Sequence, residues 1–268
     1  MPTIAGLRRR GYTPDAIQLF AERTGVSKAG GWTDYSSLEI ALRDDLDPKA
    51  ARAMAVLDPV RLVLTNWDEV MGAGFIDACS APVHPAQPER GRRSFGMARE
   101  LWIERDDYLA VPTKGYHRLY PGNKVRLKYG HVIECSGATT DADGRVTEVQ
   151  ARLVPDTKSG TPGADAVKVK GTITWVAAHD ALPAEVRLFE RLFATDQPEE
   201  GGRDFRDNLN PHSRRVVQGW VEPSAAAVEP DAKLQFERHG YFVADRIDHR
   251  AGAPVFNRVT TLKDSRGK

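Results

Sequence analysis

The chain has 268 residues, 41 % of them hydrophobic and 28 % charged, and a formal net charge of +1. That balance supports a folded chain with a real core, large enough for two modest domains or one large one, and excludes wholesale disorder. It also excludes a uniformly basic nucleic-acid coat, so any anion site must be a local patch.

Residues 1–50 read as helical. Thr13 is a good N-cap, with Pro14 at the first helical position. Ile17, Phe20 and Ala21 then share one face, and Gly25 is a stop. A second helix runs from about Tyr35 to Leu46, with Leu38, Ala41 and Leu42 as its stripe. Asp47-Pro48 repeats the cap-then-proline signal and predicts a short further helical turn.

After Val56 the texture changes to short β-branched or alternating runs separated by Gly, Pro, Asn and Asp. RLVLTNW (61–67), ELWIER (100–105), KVRLKYGHVIEC (124–135), VTEVQARLV (146–154) and AVKVKGTITWVA (166–177) are such runs. So are RVVQGWVEP (215–223), KLQFERHGYFVAD (233–245) and PVFNRVTTL (254–262). Many short strands with regular turns predict antiparallel barrels or a sandwich, and this length of chain favours two barrels over one. Asp141 to Gly144 reads as a hairpin turn, and 155–166 and 195–213 as polar loops.

Enzyme motifs are absent. There is no G-x-S-x-G elbow and no phosphate-cradling loop. His179, His212, His239 and His249 have no paired metal-ligand spacing, and each reads as a surface or hydrogen-bonded histidine. Asp141 and Asp143 fail as a calcium loop, because Gln150 stands where a bidentate Glu is needed. Asp180 and Glu185 merely flank a Pro-containing turn. Cys79 and Cys135 lie far apart, which gives no disulfide framework and fits a reducing cytosol. No apolar run approaches a membrane span, and the N-terminus lacks the apolar core of a signal peptide.

One basic seam stands out at residues 116–130, YHRLYPGNKVRLKYG. Strand alternation points Lys124, Arg126 and Lys128 one way, with no interleaved acid, and Val125, Leu127 and Tyr129 the other way, toward a barrel interior. The Pro121-Gly122 turn folds His117 and Arg118 back toward the basic row. Pattern alone favours a solvated edge strand over an anion site. A second cluster, QFERHGYF (235–242), places Gln235, Glu237 and His239 on one face and Phe236, Arg238 and Gly240 on the other. Gln and Arg each make two directed hydrogen bonds, which suits readout of unstacked bases.

Four collinear stretches carry a family resemblance: MPTIAGLRRRGYTPDAI (1–17), ARAMAVLDPVRLVLTNW (51–67), VKGTITWVAAHDALPAEVRLFERLF (169–193), and LQFERHGYFVADR with PVFNRVTTLKD (234–264). From Pro2 to Asp264 the chain resembles the C-terminal half of bacterial glutaminyl-tRNA synthetases, class I enzymes that join glutamine to its tRNA with ATP. The class I signatures, HIGH-like and KMSKS-like, are absent from the chain; Val26-Ser27-Lys28 is a false echo. The resemblance therefore implies the end of a helical connector and the anticodon-binding part, without the catalytic domain. The implied fold is mainly β: two antiparallel β-barrels, similar to a ribosomal 5S-RNA-binding protein and with strands exchanged, after a small helical connector. The implied partition is 1–50 for the connector, 51–105 with 196–268 for the proximal barrel, and 106–195 for the distal barrel.

The resemblance also implies a site. Arg52, Arg118 and Arg126 match arginines that contact the anticodon. Gln235 and Arg238 match residues at its middle position, with Glu237 as an orienter of the arginines, and Ser265 aligns near the same pocket. His117 stands where relatives carry lysine, and Lys128 replaces an arginine, which keeps the charge and loses the fork. Gly115 and Ala86 fall where relatives have polar side chains. The implied partners are a glutamine tRNA and a catalytic domain in cis, in a cytoplasmic monomer away from membranes. No cofactor is expected in this chain, and ATP and magnesium belong to the catalytic half. Alone the chain is expected to catalyse nothing. The rivals are the barrels of an archaeal or eukaryotic-type glutamyl-tRNA synthetase, a free-standing ribosomal RNA-binding barrel, and a protein-interaction module using Arg8, Arg9 and Arg10.

Overall fold

The computed structural model describes residues 3–26 and 33–263. Three helices come first: α1 (Ile4–Arg9), α2 (Pro14–Thr24) and α3 (Tyr35–Lys49). Each is capped by a side-chain oxygen accepting an otherwise unpaired amide: Thr3 from Gly6, Thr13 from Ala16 and Asp34 from Ser36. The separate turn expected at Asp47-Pro48 is instead the last turn of α3. Pro48 removes one donor there, yet the Ala50 amide still reaches the Leu46 carbonyl at 2.8 Å. The buried residue of α2 is Ala16, while Phe20 is half-buried and Ala21 exposed, so its contact face lies nearer the helix start than the expected stripe. Ala16 packs with Tyr12, Leu42 and Leu46 against Tyr241, Val243 and Val259 of the β region.

The strands are β1 (Ala51–Ala53), β2 (Ala55–Val56), β3 (Pro59–Leu64), β4 (Asp77–Pro82), β5 (Arg92–Met97), β6 (Glu100–Glu104), β7 (Lys124–Leu127) and β8 (Val132–Thr140). They continue as β9 (Val146–Leu153), β10 (Gly171–Ile173), β11 (Trp175–Ala177), β12 (Leu182–Phe189), β13 (Arg214–Val221), β14 (Lys233–Phe236), β15 (Gly240–Ala244) and β16 (Val255–Thr260). The fold is mainly β, in two nearly closed barrel-like sheets. The first runs β1-β14-β15-β16-β12-β13-β2, the second β10-β7-β8-β9-β3-β6-β11, and β4 and β5 form a separate hairpin. The pairing is mixed rather than purely antiparallel: β1·β14, β3·β9, β7·β10 and β12·β16 run parallel.

Each barrel is drawn together by a single residue. The two edge strands of the first sheet, β1 and β2, are separated by Met54 alone, and those of the second, β10 and β11, by Thr174 alone. A sheet whose two edges are consecutive in the chain must curl, which removes the exposed edges that invite aggregation. Met54 is tied across the gap: its amide donates to Glu222 Oε2 at 3.0 Å, and the Glu222 amide donates to its carbonyl at 3.2 Å.

Sheet membership divides the chain differently from the expected partition at 105 and 195. β3 and β6 belong with β7–β11, and β12 belongs with β13–β16. The apolar cores agree, one gathering Val60, Leu62, Leu101 and Ile103 with Val125, Leu127 and Trp175, the other Ala53, Ala55, Ala184 and Val186 with Phe236 and Phe256. The second barrel is thus inserted between the β1–β2 segment and the rest of the first.

Two long runs fold back as tight hairpins. KVRLKYGHVIEC turns at Lys128-Tyr129-Gly130, with Tyr129 at φ 64° and the Gly130 amide on the Leu127 carbonyl at 2.8 Å. KLQFERHGYFVAD turns at Glu237-Arg238-His239, with Arg238 at φ 75° and the His239 amide on the Phe236 carbonyl at 2.9 Å. Strand alternation therefore stops at Leu127, and Tyr129 leaves the interior row. The Asp141 to Gly144 hairpin turn forms, with Asp141 Oδ1 accepting from the amides of Asp143 and Arg145. No helix among the described residues is long and apolar enough to cross a membrane.

Candidate nucleic-acid interface

The two hairpin turns meet where the barrels join. Lys128 Nζ and the Tyr129 hydroxyl, from the second barrel, both reach Glu237 of the first; the hydroxyl lies 3.0 and 3.1 Å from its two oxygens. Arg93 of β5 closes the cluster. Its Nη2 donates to Glu237 at 2.7 Å, its Nη1 to the Pro82 carbonyl at 2.8 Å, and its Nε lies 2.6 Å from Glu222. The side chain of Arg93 is 4 % exposed and that of Glu222 2 %. Arg93 also stands 5.4 Å from the ring centre of Tyr129. Burial opposes the charge on Arg93, but Glu222 and Glu237 outweigh it and raise its pKa. The same burial raises the Glu222 carboxyl against the pull of Arg93. Arg93 and Lys128 balance the two carboxylates, so the cluster is neutral and welds the hairpin to both barrels.

One residue further along, Arg238 enters a different arrangement. Its two terminal nitrogens donate to the two oxygens of Asp107, each at 2.7 Å, and Nη1 also reaches Thr174 Oγ1 at 3.3 Å. Arg118 Nη1 lies 3.2 Å from the same carboxylate and donates to the Asp106 carbonyl at 3.1 Å. Asp107 is fully buried at the end of a short helical turn, Arg105–Asp107, and its carbonyl accepts from the Leu119 amide at 2.8 Å. Burial raises its carboxyl, and the two guanidiniums oppose that rise. The neighbouring Tyr116 phenol, donating to the Asp106 carbonyl at 3.0 Å, is raised by burial and by the Asp107 charge. Two guanidiniums share one carboxylate here, so the three groups together carry one formal positive charge, with the Glu104 carboxylate within electrostatic reach of Asp107 and Arg238. The Arg118 side chain is 41 % exposed and that of Arg238 27 %.

The remaining expected residues divide. Gln235, half-buried, sits directly beside Arg52 across the parallel β1·β14 pair and leads into the Arg238 turn. Arg52 is buried, with Nη2 on Asp47 at 2.7 Å and Nη1 on the Ala50 carbonyl at 3.3 Å. Burial alone would raise the Asp47 carboxyl, but the Tyr241 hydroxyl and Arg52 hold it below its ordinary value. His117 is exposed, and its carbonyl packs against Gly171, where an added Cβ would lie 1.8 Å from that oxygen. Arg126 is occupied within its own barrel: it donates to the carbonyls of Thr157 at 2.7 Å and Ala164 at 2.6 Å, clasps the 157–164 loop, and reaches the Gly130 carbonyl of the hairpin turn at 3.4 Å. Ser265 lies outside the described residues.

The basic row is not left uncompensated. Lys124 pairs with Glu134 across the hairpin at 3.3 Å, Lys128 with Glu237, and Arg126 with loop carbonyls. The acids come from neighbouring strands and turns, which alternation along one strand cannot reveal. Glu237 orients Arg93 and Lys128 rather than Arg238, whose partner is Asp107. Asp107, Arg93 and Glu222 were not visible from sequence, because their partners are distant: Arg238 and Asp107 are 131 positions apart, Arg93 and Glu237 144. Among the described residues, no group of three or more His, Cys, Asp or Glu side chains is placed to hold a metal.

Two nearly closed barrel-like sheets joined by a charge-rich seam, with arginines at its exposed rim, define a double β-barrel module. Two family models described as "tRNA synthetases class I (E and Q), anti-codon binding domain" match residues 50–154 and 172–245. The chain belongs to this family of anticodon-binding domains. It is 62 % identical over all 268 residues to a glutamine–tRNA ligase of Ralstonia nicotianae and to one of Ralstonia pickettii, covering 46 % of each. It is 58 % identical over 265 residues to that of Bordetella bronchiseptica, covering 44 % of it. The chain thus spans about half the length of the curated relatives it matches.

Proposed function

We propose that this chain reads the anticodon of glutamine tRNA on behalf of an enzyme that joins glutamine to that tRNA with ATP. The observation that carries the reading is the Asp107 triad, a cationic pair of guanidiniums at the exposed rim of the barrel junction, in a chain of anticodon-binding family. Glutamine codons are CAA and CAG, so the last two anticodon bases are fixed as U and G. Reading them requires an unstacked loop held by Watson–Crick edges, and guanine offers two acceptors that suit an arginine. Arg118 is the residue with donors to spare; Arg52, Gln235 and Arg238 line the adjoining strand and turn, His117 is exposed beside Arg118, and the Arg118 and Arg238 guanidiniums supply the local positive charge. The backbone phosphates need such local cations, not a basic protein overall.

ATP and magnesium act, on this reading, in the catalytic half outside this chain, which lies in cis in a cytoplasmic monomer. Filter binding of the chain to a glutamine tRNA transcript and to one changed at the middle anticodon base tests the proposal. Tighter binding of the unchanged transcript is expected; equal affinity for the two contradicts it.

A further inference from the structure

The two arginines of the triad are not equivalent. Arg238 commits one hydrogen of each terminal nitrogen to Asp107, so its end-on fork is closed. Arg118 touches Asp107 through Nη1 alone, and among the described residues its Nε and Nη2 make no hydrogen bond. A carboxylate offers about four lone-pair sites. Arg238 takes two in a bidentate grip, which fixes the carboxylate plane, and Arg118 lies against it as an ion pair at 3.2 Å while its Nη1 donates to the Asp106 carbonyl. Asp107 is fully buried, so water does not compete for these sites.

The grip is itself braced from both barrels. Arg238 sits on a hairpin turn of the first, in a left-handed conformation (φ 75°) that a non-glycine residue keeps only when its surroundings determine it. Thr174, the residue on which the second barrel closes, holds it from the other side at 3.3 Å.

Resting on the anticodon reading above, we propose that Asp107 is a positioning residue for base selection: locked by Arg238, it holds the Arg118 guanidinium with its free edge toward the RNA.

The test uses the full chain and glutamine tRNA transcripts, cognate and singly substituted at each anticodon position. Asp107→Asn keeps the shape but turns an amide toward a guanidinium. It is expected to lose about tenfold in discrimination at the position where Arg118→Ala loses it. The double variant is expected to do no worse than Arg118→Ala alone, since both changes remove one coupled interaction. Arg238→Lys, which keeps the charge without the fork, is expected to lower the same ratio and carries the test if Asp107→Asn does not fold by circular dichroism. Full discrimination in folded Asp107→Asn or in Arg238→Lys, or additive losses in the double variant, overturns the inference. Equal binding of all transcripts by the unsubstituted chain overturns the anticodon reading itself.

Discussion

The Arg93 cluster and the Asp107 triad stand one residue apart, at Glu237 and Arg238, and both bridge the two barrels with guanidiniums and carboxylates. The first balances its charges and buries all of them but Lys128, with Arg93 only 4 % exposed. The second places two guanidiniums on one carboxylate and leaves Arg118 partly in solvent. A closed, neutral set has nothing left to offer a ligand and can only hold the fold. An unbalanced set with spare donors holds the fold less and keeps something for an anionic or acceptor-rich partner. Residue type does not distinguish an anchoring arginine from a reading one; charge balance and exposure do. Arg126, 16 % exposed and clasped by loop carbonyls, falls on the anchoring side despite standing in the basic row.

Arg93→Met is the largest way to break this contrast. It leaves Glu222 and Glu237 buried without their main partner, and a cost of about 3–5 kcal/mol in chemical denaturation is expected. Adding Glu222→Gln should recover part of it. Gly171→Ala comes next, because the added methyl would lie 1.8 Å from the His117 carbonyl and must displace either β10 or the segment bearing Arg118. Loss of about 1–3 kcal/mol in the same assay is expected, with weaker RNA binding in filter assays. The smallest effect belongs to Lys124→Ala. Its exposed pair with Glu134 is worth no more than about 1 kcal/mol, and discrimination between transcripts should not move. A Lys124 effect on discrimination as large as that of Arg118 would erase the contrast.

Much of the frame was legible in sequence. Thr13-Pro14 located α2, apolar spacing located α3, and the runs around 61, 100, 124, 146, 215, 233 and 254 each contain a strand. β1, β2, β4 and β5 were not legible, being two to six residues long and rich in Ala, Arg and Ser rather than β-branched side chains. β12 alternates Ala184, Val186 and Leu188 with Glu185 and Arg187, a signal present and overlooked. The turns inside KVRLKYGHVIEC and KLQFERHGYFVAD hide because each puts a non-glycine residue, Tyr129 or Arg238, in the left-handed region. In the site, the arginines stood out as letters, whereas their occupancy did not. Whether Arg126, Arg118 or Arg238 has donors to spare depends on Thr157, Asp107 and Thr174, which only barrel closure brings near.

The central claim is that selectivity resides in the solvent-facing triad and fold stability in the buried cluster. The direct measurement is the affinity ratio between a cognate glutamine tRNA transcript and one changed at the guanine that ends its anticodon, for the unsubstituted chain and for Arg118→Ala, alongside each protein's unfolding midpoint. The account expects Arg118→Ala to lose about 1–3 kcal/mol of cognate binding, to bring the ratio toward one, and to leave the midpoint unchanged. An undiminished ratio in a folded Arg118→Ala protein would contradict it.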